Sequence, residues 1–83
     1  MLRLDQGQPL RDAMASAGLS IADLVALTKE ADPTGRGVKK STIGHLVATG
    51  SSAREGCDDR AGHLIATSLH KHVGELFKTT PSP

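Results

Sequence analysis

The chain has 83 residues, 37% hydrophobic and 23% charged, which suits one small globular domain with a modest core. Its net charge of +1 is too small for a non-specific coat on nucleic acid, and Phe77, the sole aromatic, argues against binders that stack single-stranded bases. A lone cysteine, Cys57, excludes an internal disulfide framework, and with no apolar h-region after Met1 and no run of membrane-spanning length the expected setting is a reducing cytoplasm.

The first predicted helix runs from Leu10 to Ala17, with Pro9 at its entrance and Gly18 past its end. Leu10, Ala13, Met14 and Ala17 recur at i, i+3, i+4 and i+7, one face of a helix. Ser20 reads as the cap of a second helix, Ile21 to Glu30, with Asp23 completing a weak capping box. Pro33 ends that helix near Asp32, and Asp32-Pro33-Thr34-Gly35-Arg36-Gly37 is a loop. A third helix is expected from Lys39 to Thr49, burying Ile43, Leu46 and Val47 and stopping at Gly50. After a polar loop from Ser51 to Cys57, Asp58 or Asp59 caps a fourth helix carrying Ala61, Leu64, Ile65 and Leu69. A short last helix holds Val73, Leu76 and Phe77, and the tail Thr79 to Pro83 is expected to be disordered. No segment alternates apolar and polar residues, so no strand is predicted. The expected fold is all-α: a compact bundle of four to five short helices over residues 1–78.

Functional character concentrates between Leu19 and Gly50. With Ile43 turned inward on a 3.6-residue wheel, Leu46 and Val47 flank it, while Ser41, Gly44, His45 and Ala48 point outward. Lys39 and Lys40 stand at the amino end, so this face is narrow and small, with cations at its tip. Such a face fits a major groove, where lysine reaches guanine or phosphate and serine or histidine bonds base edges. Lysine at a helix amino terminus opposes the macrodipole by about 0.3–1 kcal/mol, and an interior glycine costs about 1 kcal/mol relative to alanine. A bound phosphate and a close DNA approach would offset these costs. The plainer reading keeps Lys39 and Lys40 as solvated charges and Gly44 as a tolerated glycine.

Gly18-Leu19-Ser20 with Leu24-Val25, then Gly37-Val38 with Ile43, Leu46 and Gly50, then Leu64 to Leu69 and Val73 to Phe77, follow one another in a recognisable order. From Leu10 to Phe77 the chain resembles the Cro/phage-repressor type of helix-turn-helix family, also called XRE-like. The resemblance implies a lambda-repressor-like domain that binds double-stranded DNA. Its second helix would cross the backbone and its third would lie in the major groove. It implies a repressor or Cro-like transcriptional regulator, phage or prophage encoded, working on the bacterial nucleoid. By position, Lys40, Ser41, Gly44 and His45 would read bases. Ser20, Lys39, Ser51, Ser52 and Arg54 would contact phosphates, with Arg36 reaching DNA from the loop or bulging into solvent. A homodimer would match a palindromic operator. The chain departs from the pattern in a longer segment between Val25 and Gly37, in apolar Ile21 after the capping serine, and in Lys39 at a cap position.

His63, His70 and His72 with Cys57 match no zinc-finger spacing, so no metal and no cofactor is expected. Those histidines read as capping, surface or dimer-contact residues. Cys57 lacks an orienting group and an oxyanion site, and adjacent Asp58 and Asp59 diverge, so no enzyme is expected. Leu69, Val73, Leu76 and Phe77 read as core against the first helix, with Phe77 the residue placed at an interface. The alternative to DNA binding is a helix-turn-helix used for protein interaction, as in an antitoxin or adaptor. Low net charge and Ile21 favour that alternative; Lys29, Arg36, Lys39 and Lys40 favour DNA.

Overall fold

Capping chemistry sets the helix boundaries in this computed structural model, which describes residues 1–51 and 53–78. Helix α1 spans Gln8–Ala17 and ends at Gly18, whose φ of +69° lets the Leu19 N–H reach the Met14 carbonyl at 2.9 Å. Helix α2, Ile21–Ala31, starts from a closed capping box. The Ser20 hydroxyl accepts the Asp23 N–H at 3.1 Å, and Asp23 Oδ2 accepts the Ser20 N–H at 3.0 Å. Helix α3, Lys40–Val47, is followed by α4, Asp59–Ser68, where Asp58 Oδ1 accepts the Ala61 N–H at 2.7 Å. Helix α5 is a single turn, Val73–Leu76.

The fold is a small all-α bundle, measuring 29 × 29 × 21 Å. Leu10, Leu24, Ile43, Leu46, Ile65, Leu76 and Phe77 fill its centre, all of them at most 2% exposed. Burying such side chains is worth about 1.5–3 kcal/mol each. None of the described helices is long and apolar enough to cross a membrane.

Three expectations are corrected. Phe77 is neither helical nor at an interface: its φ of −135° is extended, and its side chain is only 1% exposed in the core. Strands do exist. Leu2–Arg3 (β1) pairs antiparallel with Phe77–Lys78 (β2), in a register of Leu2 with Lys78 and Arg3 with Phe77. Two residues cannot display a period of two, so no sequence pattern announces them. Helix α3 stops at Val47 rather than Thr49, and Gly50 lies beyond its end with a φ of +89°.

The early stop has a physical cause. Arg3 Nη1 donates to the carbonyls of Leu46 at 2.9 Å and Ala48 at 2.7 Å, and Arg11 Nη1 donates to Val47 at 2.9 Å. Two guanidinium groups thus occupy the negative end of α3 and accept the duty of its orphan carbonyls. Gly7, at φ +83°, permits the approach, since a Cβ there would sit 2.5 Å from the Leu46 oxygen. Ser52, expected to touch phosphate, and the tail Thr79 to Pro83 lie outside the described residues.

Candidate nucleic-acid interface

The segment from Asp32 to Lys39 fixes where α3 begins. Asp32 is buried, with Oδ1 accepting the Thr34 N–H at 2.9 Å and the Thr34 hydroxyl at 2.8 Å. Its Oδ2 accepts the Gly37 N–H at 3.0 Å and pairs with the Arg60 guanidinium, which also donates to the Gly37 carbonyl at 2.9 Å. The Thr34 N–H is the largest of the influences that hold the Asp32 carboxyl well below the usual carboxylate range; Gly37 and Arg60 add to it, against burial. Thr28, fully buried on α2, donates its hydroxyl to Val25 and accepts the Val38 N–H at 3.0 Å. The long connection between α2 and α3 is therefore an ordered, internally bonded turn around one aspartate.

Clamped at both ends, α3 turns Ile43 and Leu46 inward, at 0% and 1% exposure. Lys40 and Ser41 are exposed, and Gly44 and His45 are half-buried. A Cβ built on Gly44 meets no atom within 4 Å, so this face of α3 opens on space beside its glycine. The His45 carbonyl accepts the Arg54 N–H at 2.9 Å, tying the 53–57 segment to the helix. Lys39 has the cap position with an extended φ of −64° and ψ of 145°, and its side chain makes no capping hydrogen bond. The leading N–H groups of α3 are in this respect unlike those of α2 and α4, which receive a serine oxygen and an aspartate oxygen.

Three of the residues assigned to phosphate by sequence, Arg36, Lys39 and Arg54, line one cleft of about 410 Å³ at the amino end of α3. Thr42, Cys57, Asp58 and Arg60 line it too. The other assigned residues stand apart from it. Ser51 is exposed after α3, and Ser20 has its oxygen engaged in the α2 capping box beside the Asp23 carboxylate. Bonds from the Ser20 backbone and hydroxyl lower the Asp23 pKa. Burial, the first of several influences, raises the Cys57 pKa and keeps its thiol protonated. Among the described residues, Cys57, His63, His70 and His72 belong to no group that could hold a metal ion.

Sequence reasoning missed Arg60, Thr28 and Asp32 as the residues that set the start of α3, and Arg3 and Arg11 as those that set its end. Asp32-Pro33 was a legible turn signal for one of the five. The arginines lie 43 and 36 residues from the carbonyls they cap, beyond any local pattern. Comparison with protein families, curated proteins and solved structures finds no match.

Proposed function

We propose that this chain is a sequence-specific double-stranded DNA-binding transcriptional regulator, with α3 reading the major groove in the manner of a phage repressor or Cro. One observation carries the reading. The helix that carries Lys40, Ser41, Gly44 and His45 begins at a cleft lined by Arg36, Lys39, Thr42 and Arg54, so candidate base contacts and candidate phosphate contacts meet at the amino end of α3. Phosphate contacts would set the register and the α3 face would read sequence. A twofold partner would place two such helices about 34 Å apart on one face of a duplex.

Selection from a random duplex pool, followed by salt titration of the winner, tests the proposal. An enriched motif with a steep salt slope is expected, palindromic if a homodimer binds. Lys40→Ala should weaken the selected site by about 1–3 kcal/mol. Uniformly weak binding to every duplex would instead support a protein-interaction module such as an antitoxin or adaptor. The Asp23 carboxylate at the amino end of α2 favours that second reading, because it engages Ser20, the residue the resemblance assigns to a phosphate, and sets a negative charge beside it.

A further inference from the structure

The cleft at the amino end of α3 has a shape that duplex DNA does not require. Its walls are Arg36 to Lys39 with Thr42 on one side, and Arg54 with the 56–61 segment on the other. Four cations, Arg36, Lys39, Arg54 and Arg60, face one carboxylate, Asp58, whose Oδ1 is already taken by the Ala61 N–H. Arg60 is compensated by Asp32, but among the described residues Arg36, Lys39 and Arg54 have no carboxylate within ion-pairing distance. Buried Val38 and Ala61 and half-buried Cys57 give the cleft an apolar lining between these charges.

We infer that this cleft binds a small soluble phosphorylated molecule, its phosphates held by Lys39, Arg36 and Arg54 and its organic part resting on Val38, Ala61 and Cys57. A cleft lined by one sign of charge over low-dielectric walls focuses its field and concentrates an oppositely charged ligand. The volume of about 410 Å³ exceeds what one backbone phosphate fills and falls within the range of small-ligand pockets. Guanidinium groups present paired N–H donors to phosphate oxygens, and the Lys39 ammonium supplies a third point of charge. Asp32 and the Gly37 carbonyl hold Arg60 in place, so this part of the cleft lining is formed before a ligand arrives. Binding of the small phosphate does not depend on the DNA reading. Its consequence does: on that reading, a filled cleft withdraws Lys39, Arg36 and Arg54 from the DNA backbone, and the ligand becomes a soluble antagonist of DNA binding.

Inorganic pyrophosphate is the probe, titrated calorimetrically into the full chain at low salt, with sodium chloride at matched ionic strength as control. Saturable one-to-one binding is expected. Arg54→Gln and Lys39→Gln should each weaken it about tenfold, the loss of one charge-assisted hydrogen bond, while Lys40→Ala, outside the cleft, leaves it unchanged. Both glutamine variants replace exposed side chains, and circular dichroism verifies that they fold. Phenyl phosphate, whose ring would rest on Cys57, should also slow alkylation of that thiol by iodoacetamide, which places the ligand in this cleft and not on another basic surface. Failure to saturate, or binding equal in both variants and wild type, overturns the proposal. The two readings separate cleanly. Pyrophosphate binding without duplex binding keeps the pocket and removes the DNA role, whereas duplex binding without pyrophosphate binding does the reverse.

Discussion

Gly44 and Asp32 show how single residues trade stability for geometry. Gly44 sits inside α3 with open space where a Cβ would be, so nothing in the packing demands glycine. Gly44→Ala should therefore stabilise the domain by about 0.5–1 kcal/mol, read as a higher urea midpoint, because alanine loses less backbone entropy in a helix. If the face meets DNA, the same methyl group lowers affinity for the selected duplex. A variant both more stable and equally tight would place Gly44 away from the groove. Asp32 makes a prediction in pH. The fold depresses its pKa below the ordinary 3.8, so the folded state favours the carboxylate. Its stabilisation is present in full above the unfolded value and is lost as pH falls through the folded one. Urea unfolding from about pH 5 down to about pH 2 should show wild type converging on Asp32→Asn as acid is added. Asp23 is depressed as well and also weakens in acid, which is why the difference from the Asn variant is the informative quantity. A gap that stays constant with pH would mean that Asp32 acts through shape alone. The turn was legible from Asp32-Pro33, but its pairing with Arg60, 28 residues away, lies beyond any local pattern.

At the scale of elements, α3 is held in place from outside itself. A helix of eight residues is too short to be stable alone, and its position depends on tertiary contacts. Ile43 and Leu46 supply the buried stripe, and that much was plain from their spacing. So were the Ser20 cap with its Asp23 box and the Gly18 terminator, since each is a rule of local chemistry, while the sequence left the α4 cap open between Asp58 and Asp59 and the structure gives it to Asp58. The end of α3 was misplaced because Gly50 is a strong local signal, while the actual stop is imposed by Arg3 and Arg11 from the amino-terminal segment. The β1–β2 pair brings Arg3 to this position, which links the two elements that the sequence hid to each other. The Arg3 side chain is 3% exposed and also pairs with Glu55 at 3.0 Å. Arg3→Met should thus deprive the carbonyls of Leu46 and of the capping residue Ala48 of their donor and cost about 1–3 kcal/mol. At about 4–8 °C per kcal/mol for a domain of this size, the thermal midpoint should drop visibly. Arg11→Ala serves one α3 carbonyl and is more exposed, so its drop should be smaller. Equal effects, or none, would show that the helix end is satisfied by other means.

For the whole molecule, the distribution of charge matters more than its sum. A net charge of +1 gives little attraction to DNA at large, yet Arg36, Lys39, Arg54 and Arg60 gather at one cleft at the amino end of α3. Neither composition nor spacing revealed that gathering, because Arg54 and Arg60 come from beyond α3 and join Arg36 and Lys39 only when α4 packs on α2. The arrangement separates two classes of variant. Each phosphate contact releases about one counterion, so the dependence of log K on log salt has a slope of about −0.9 per contact. Arg54→Gln, at the rim of the cleft, should weaken every duplex alike and flatten the slope by about 1. Ser41→Ala, on the open face, should keep the slope and change the preferred sequence, because a base contact carries specificity and a phosphate contact does not. Measured together on the selected site and on a scrambled duplex, the two variants decide the orientation of the molecule. If Ser41→Ala altered the slope and Arg54→Gln the preference, the domain would lie on DNA by another face, and the basic cleft would serve the small phosphate alone.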